Sequence, residues 1–322
     1  MGTGVLVVMP FQSIQALALI SLSIMLTYFG ASRTLKGALG LSALKSLSKA
    51  STGAILVASV TALPELTSSV TAAILGSSEL ALGNILGSNV YNLPLLIGLA
   101  GLIDEFEISN NIAKQCAFLV LLNLAIGAVT LTLGTLPRAA AFVLLGFYLL
   151  FIFRSLGKSD ECGDPECTTR EAVSFTVFGG AALVIGSYLL VNTTLAVVNA
   201  YGLNMFLVGL VMSFGAVIPE IAVSLLSASR GEHEISVGNI VGDNIITATL
   251  VLGLVSLIRP VEVSSAEVFS TIPFTIAFTA LIFFMRRYDW HVTRRNAVLF
   301  LAASVCILVI QIVLTQPRAL TI

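Results

Sequence analysis

Charged side chains are scarce in this sequence of 322 residues. Asp, Glu, Lys and Arg together make up 10% of the chain, whereas soluble globular proteins carry about 25%. Hydrophobic residues account for 57%, and the mean hydropathy is +1.01. The net charge of −1 gives no sign of a nucleic-acid or acidic partner. These values exclude an ordinary soluble domain and indicate an integral membrane protein.

Cysteine is also scarce, with four residues in the chain. Cys116 and Cys306 lie in apolar stretches, where a small hydrophobic residue is ordinary. Cys162 and Cys167 could bind a metal with neighbouring acids, but their spacing matches no zinc signature and no second pair exists. We therefore expect free thiols. The sequence also lacks an ATP-binding motif, so uphill transport would have to draw on ion gradients.

Long apolar stretches are abundant, and those of roughly 20 residues can cross about 30 Å of hydrocarbon. Ten such stretches predict an all-α integral membrane protein with ten transmembrane helices. No basic flank precedes the first stretch and no small-residue cleavage site follows it, so we expect a retained span and not a signal peptide. The expected spans, numbered 1 to 10, cover 8–30, 43–75, 80–103, 113–134, 137–156, 173–198, 202–229, 234–258, 266–286 and 295–315.

Two segments of the chain, 57–103 and 212–258, are repeats that align without a gap at an offset of 155. Each carries a Pro-Glu pair inside an apolar stretch, and a proline interrupts helical hydrogen bonding, so we expect broken helices in spans 2 and 7. A lone carboxylate near mid-bilayer costs at least a few kcal/mol. Two in matched positions predict one cation site built from two halves. The pairs are Pro64-Glu65 and Pro219-Glu220.

The repeat unit contains five spans, an odd number, so the second unit should cross the membrane upside down relative to the first. We expect a five-helix repeat at 1–156, a linker at 157–171 and an inverted second repeat at 172–322. Ten spans place 13 of the 16 Lys and Arg residues on the side of the linker, and the other three are Arg138, Arg259 and Arg318. Because basic loops stay inside, the linker should be cytoplasmic and both termini extracellular.

Each proline should also loosen carbonyl oxygens beside its glutamate. In the first repeat these belong to Val60 and Thr61, and in the second to Gly215 and Ala216. Carboxylate and carbonyl oxygens suit calcium and sodium better than zinc or copper. Two carboxylates would neutralise one divalent ion.

Both repeats continue with Gly-Asn-x-x-Gly-x-Asn, in spans 3 and 8. Glycines four residues apart allow close helix packing. Ser88 and Asn92 share one helical face, as do their counterparts Asp243 and Thr247. Four amides at matched positions are equally compatible with cation binding and with bonds that hold the broken helices, namely Asn84, Asn89, Asn239 and Asn244.

The two segments resemble the α-1 and α-2 repeats of the calcium/cation antiporter superfamily, in its sodium/calcium exchanger branch. The matching motifs are LPEL at 63–66 with GNILGSN at 83–89, and IPEI at 218–221 with GNIVGDN at 238–244. The resemblance implies an antiporter and not an enzyme, which exchanges Ca²⁺ for Na⁺ by alternating access. It implies no resident cofactor and no obligate protein partner, and a prokaryotic cell membrane as the location.

Carried over by position, the resemblance implies that Glu65 and Glu220 bind Ca²⁺ together with the backbone carbonyls of Thr61 and Ala216. It implies flanking monovalent sites at Ser88, Asn92, Asp243 and Thr247. The sequence departs from the family pattern at several of these positions. Ala62 and Val217 replace sodium-binding serines, Asp243 replaces a serine, and Thr247 stands where Asp or Asn is usual.

Asp243 leaves the coupling ion open. A third carboxylate in low dielectric favours protonation of the empty site, so proton-coupled exchange is an alternative to sodium coupling. Asp243 could instead supply the oxygen lost with the serine and bind Na⁺, and K⁺-dependent exchange is a further alternative. A cation channel would conduct one ion without its counter-ion. An intramembrane hydrolase is remote, because residue 240 is Ile where the Gly-x-Gly-Asp motif needs Gly.

The orientation can be tested with single cysteines in a background that lacks the four native ones. A cysteine replacing Ser159 should react with an impermeant thiol reagent only from the cytoplasmic side, and one replacing Thr321 only from outside, as the split of basic residues indicates. Labelling of both positions from one side would show that the count of ten spans is wrong.

Overall fold

The computed structural model describes residues 5–44, 58–59, 61–155 and 168–315. Within this part the chain is mostly helical, with four strands of two residues each and short turns and loops between the helices. The long helices are α1 (Val5–Leu44), α2 (Leu63–Ile74), α3 (Ser78–Ile103), α4 (Asn110–Leu133), α5 (Arg138–Ser155), α6 (Thr169–Tyr201), α7 (Met205–Ala216), α8 (Ile218–Ser229), α9 (His233–Ile246), α10 (Leu252–Ile258), α11 (Ser265–Arg287) and α12 (Arg294–Thr315).

The described residues contain eight helical stretches long and apolar enough to cross a membrane. They coincide with expected spans 1, 3, 4 and 6 to 10. Span 5 is the 18-residue helix α5. Most of the first half of span 2 lies outside the described residues, and its second half is α2. The structure therefore agrees with an all-helical membrane protein.

The helices differ in how much protein surrounds them. In α3, and in the stretch His233–Ile258 that contains α9 and α10, 83% of the residues in the apolar stretch are buried. In Ile14–Thr34 of α1 the share is 22%. Large apolar side chains on the poorly buried helices, such as Met25 and Phe178, are exposed. The repeat segments therefore lie at the centre, while α1 presents a wide apolar face at the outside of the bundle, as expected of a helix next to lipid.

The first helix is longer than expected. Span 1 was expected to end near residue 30, but α1 continues through the predicted loop to Leu44. Two predicted loop cations lie on this helix: the Arg33 guanidinium is 5.1 Å from the Phe29 ring centre and 5.4 Å from that of Phe175, and Lys36 Nζ is 5.2 Å from Phe175. Contact with an aromatic face stabilises a cation, so these two side chains can lie on a helix and do not need to be in a loop.

Side-chain caps determine where several helices begin. Thr168 and Glu171 form a reciprocal capping box at the start of α6, and Ser264 and Glu267 do so at α11. Helix α6 thus begins at Thr169, within the segment 157–171 that the sequence predicts as a linker. Cys162 and Cys167 lie outside the described residues, whereas Cys116 and Cys306 are free thiols.

Four short strands join the two halves of the chain at their loops. β1 (Phe106–Glu107) pairs antiparallel with β4 (His291–Val292), and β2 (Thr135–Leu136) pairs with β3 (Val261–Glu262). The strands were not predicted, because two residues are too few to give an alternating pattern. Each pair connects one strand from the first half with one from the second.

Glycines bring α3 and α7 into direct backbone contact. A Cβ atom on Gly83 would collide with the carbonyl oxygen of Phe206, and one on Gly209 with that of Leu80. Gly87 lies one turn further along, where a Cβ would be 2.6 Å from Ser213 Oγ. This packing holds α3, which belongs to the first repeat segment, against α7, which is the first half of span 7.

Gly209→Val should therefore weaken the fold. Overpacking typically costs about 1–3 kcal/mol, and here the obstacle is backbone that cannot rotate away. We expect a lower thermal denaturation midpoint in detergent and a reduced yield of monodisperse protein. The matched control is Gly180→Val on α6, where a Cβ meets nothing within 4 Å. Equal effects of the two substitutions would contradict close packing at Gly209.

Candidate cation site

The proline positions coincide with breaks between helices. α7 ends at Ala216 and α8 begins at Ile218, with Val217 between them and a proline in the first turn of α8. The same arrangement occurs before α2, where Ala62 is the N-cap residue and Pro64 lies in the first turn. Proline has no N–H, so it cannot satisfy the carbonyl four residues earlier, and the break follows from this.

Three carboxylates meet beside these breaks. Glu65 lies in the first turn of α2, Glu220 in the first turn of α8, and Asp243 in α9. One carboxylate oxygen from each lies within 4.8 Å of the other two. All three side chains are completely buried. The two halves of the chain therefore contribute to one acidic cluster.

Most oxygens of this cluster lack a hydrogen-bond donor. Both carboxylate oxygens of Glu65 and Glu220, and Oδ1 of Asp243, have no hydrogen-bond partner among the described residues. Two like charges about 5 Å apart repel by roughly 3 kcal/mol at an effective dielectric of about 20. Such a cluster requires protons or a cation, and its oxygen donors are those that calcium and sodium prefer.

Asn92 joins the cluster through Asp243. Its side-chain Nδ2 donates to Asp243 Oδ2 at 2.7 Å, which links α3 to α9, and its Oδ1 has no partner among the described residues. Ser88, one turn earlier, donates instead to the Ile85 carbonyl of its own helix at 3.0 Å. Of this pair, only Asn92 contacts a carboxylate.

Thr61 connects the first break to the second repeat. Its hydroxyl lies 3.2 Å from Asn239 Oδ1, to which it donates, and 3.3 Å from the Ala58 carbonyl. The hydroxyl is also beside the Glu220 carboxylate, although not in hydrogen-bonding geometry. Its repeat counterpart, Ala216, is buried and has only a backbone carbonyl to offer.

The paired amides hold the surrounding helices together. Asn84 donates to Ser68 Oγ at 3.0 Å and to Ser69 Oγ at 2.9 Å, which joins α3 to α2. Asn244 donates to the Asn89 carbonyl at 2.9 Å, which joins α9 to α3. These contacts correspond to the structural role that the sequence left open. Sequence reasoning missed Ser68 and Ser69, although their spacing from Glu65 puts them on its helical face.

Thr247 lies where the second repeat departs from regular helix. Its hydroxyl donates to Asn89 Oδ1 at 2.5 Å, and a π-helical segment, Thr247–Val251, separates α9 from α10. The counterpart in α3 contains Pro94 within a continuous helix. Only the second repeat therefore departs from the α-helix here, within one turn of Asp243. The π segment was not predicted, because no residue type specifies it, but such segments are frequent at functional sites.

The sequence pattern of the family described as sodium/calcium exchanger protein matches residues 15–157 and 172–313. The chain belongs to this family. The two matched stretches contain both Pro-Glu segments and leave out most of the predicted linker. Family and fold are those of membrane exchangers, so the chain is an integral membrane protein.

Individual proteins, one named as an antiporter and one as a sodium/calcium exchanger, resemble the chain over most of its length. CaxA of Alkalimonas amylolytica is 29% identical over 257 residues, covering 76% of this chain and 81% of CaxA. The sodium/calcium exchanger MaX1 of Methanosarcina acetivorans is 25% identical over 309 residues, covering 80% of this chain and 87% of MaX1.

A solved structure shares the fold of the chain. The sodium-calcium exchanger NCX_Mj, soaked with 100 mM Na⁺ and 10 mM Sr²⁺, superposes with a TM-score of 0.68 and 21% identity, covering 96% of this chain and 99% of NCX_Mj. At this identity the likeness establishes the exchanger fold of the chain.

Proposed function

We propose that this protein is a secondary active antiporter that exchanges Ca²⁺ for Na⁺ across a cell membrane by alternating access. The observation that carries the proposal is the buried cluster of Glu65, Glu220 and Asp243, whose oxygens converge within 4.8 Å. A divalent ion is neutralised by the two glutamates, and the third carboxylate compensates a further positive charge. The transported ions are the only ligands that this function needs, so no resident cofactor is involved.

Calcium occupies the space between Glu65 and Glu220 in this proposal, with the carbonyls of Thr61 and Ala216 completing its shell. Support comes from the helical bonding across each break. After each break, helical hydrogen bonding resumes with the bonds from Leu66 N to the Ala62 carbonyl and from Ile221 N to the Val217 carbonyl. The carbonyls of Thr61 and Ala216 lie one residue before these two acceptors, at the same place in both halves.

The sodium positions use polar side chains on either side of the calcium position. In the first half these are Ser88 and Asn92, and in the second half Asp243 and Thr247. Support for Asp243 is its free oxygen: Asn92 occupies Oδ2, and Oδ1 has no partner among the described residues. Ser88 and Thr247 donate to Ile85 and Asn89 here, so their oxygens keep lone pairs available for a cation.

The architecture in the proposal is ten spans in two inverted five-helix repeats. Helix packing supports it in two ways. Two pairs of counterpart spans pack on each other, α1 on α6 and α4 on α11. The contact of α3 with α12 also recurs in the other repeat as the contact of α10 with α5. The strand pairs repeat in the same way, since β1 lies 155 residues before β3. The basic residues then put the linker in the cytoplasm and the termini outside.

The moving part in this proposal is the pair formed by α1 and α6. These helices pack tightly on each other, with a Cβ on Gly30 only 2.5 Å from Leu183 N, and α1 touches the other helices only lightly. A small cavity of about 10 Å³ lies between the pair and the breaks, lined by Thr27 and Ser187 on one side and by Pro64 and Ala216 on the other. Movement of the pair would open a path to the cluster.

Glu65→Gln and Glu220→Gln should each abolish calcium exchange in proteoliposomes with an imposed sodium gradient. A charged contact in a buried site is worth more than 1.4 kcal/mol, so uptake should fall by at least about tenfold. The matched control is Glu79→Gln, an exposed acid at the start of α3. Near-normal uptake by either site variant, with a folded protein, would contradict the two-glutamate site.

The counter-ion is tested by driving calcium uptake in turn with a sodium gradient and with a pH gradient. We expect the sodium gradient to drive uptake. Asp243→Asn should raise the sodium concentration needed for half-maximal exchange by a larger factor than the calcium concentration needed for half-maximal exchange. The reason is that the amide keeps an oxygen but loses the charge. Uptake driven by pH and unaffected by replacing sodium with choline would identify protons instead. A requirement for potassium would identify a potassium-dependent exchanger. Calcium flux without any counter-ion would identify a channel.

A further inference from the structure

A basic cleft lies far from the acidic cluster, where the end of α11 meets the start of α4. Its volume is about 520 Å³. The residues that line it combine three cations with one acid and a short apolar wall: Asn110, Ala113, Lys114, Phe283, Arg286, Arg287 and Asp289.

The positive charge of the cleft is only partly compensated. Arg286 forms an ion pair with Asp289, and its Nε donates to Asn110 Oδ1 at 2.9 Å. Lys114 and Arg287 are exposed and have no ion-pair partner among the described residues. The lining therefore has two cations in excess, beside an arginine that is already held in place.

The cleft lies at the level of the membrane surface. α4 begins at Asn110 and α11 ends at Arg287, and both are membrane-spanning helices. The next residues of the chain, Tyr288 and Trp290, are exposed aromatics with ring centres 5.7 Å apart. Such aromatic residues are typical of the headgroup layer of a bilayer.

We propose that this cleft binds the phosphate of an anionic phospholipid headgroup. A guanidinium matches two phosphate oxygens at once, and the lysine adds a mobile point charge. Basic pockets between membrane helices suit such headgroups, whose phosphate cannot leave the interface. Phe283 contributes an apolar surface next to the lipid chains. Free phosphate shares the chemistry of the headgroup but would gain nothing from this position.

The test measures lipid retention by the purified full-length protein in native mass spectrometry, with phosphatidylglycerol or phosphatidylcholine added to the detergent. The wild-type protein should retain phosphatidylglycerol in preference to phosphatidylcholine. The double variant Lys114→Gln/Arg287→Gln should lose about tenfold or more of its affinity for phosphatidylglycerol. The matched control, Arg170→Gln/Arg230→Gln, removes two exposed cations outside the cleft and should retain the preference.

Two further arms decide between the remaining outcomes. The charge-conserving variant Lys114→Arg/Arg287→Lys should bind like the wild type, which separates lost charge from lost folding. Inorganic phosphate at millimolar concentration should not displace the lipid. The proposal is overturned by equal retention of both lipids, by equal losses in the site and control variants, by loss in the charge-conserving variant, or by displacement with phosphate.

Discussion

The mutual repulsion of Glu65, Glu220 and Asp243 is the constraint on which the rest of the structure depends. The three side chains are fully buried, their oxygens lie within 4.8 Å, and no Lys or Arg of the described residues pairs with them. Helices that surround this cluster have to be held by other forces. The hydrogen bonds donated by the side-chain amides of Asn84 and Asn244, and the close packing of Gly83 against Gly209, supply these forces. These contacts let the scaffold keep its shape around the acidic cluster.

The cluster is asymmetric although the two repeats share their Pro-Glu and Gly-Asn-x-x-Gly-x-Asn motifs. Ser88 of the first repeat corresponds to Asp243 of the second, and Asn92 corresponds to Thr247. The bond from Asn92 to Asp243 has no counterpart between the matching residues, because Thr247 donates to Asn89 and Ser88 to Ile85. A site with two equivalent glutamates and one additional acid can treat the two faces of the membrane differently. The backbone adds a second asymmetry, since the π-helical segment Thr247–Val251 has a continuous α-helix as its counterpart in the first repeat.

Much of the site could be predicted from the sequence, because a buried acid next to a proline is costly and its repetition is specific. Glu65 and Glu220 were found in this way, and the offset of 155 correctly implied that they meet. The hydroxyl of Thr247 could not be assigned, since the choice between Asn89 and a cation depends on distances of a few tenths of an ångström. The π segment and the continuation of α1 to Leu44 also escaped prediction, because both depend on tertiary packing.

The length of α1 has a mechanical consequence. At 1.5 Å per residue its 40 residues extend about 60 Å, roughly twice the hydrocarbon thickness. Such a rod must tilt or project beyond the bilayer. A rotation of roughly 10° about one end of a rod this long displaces the other end by about 10 Å. A small tilt of α1 within the helix bundle would therefore move the Leu44 end much further than it moves the residues near the pivot.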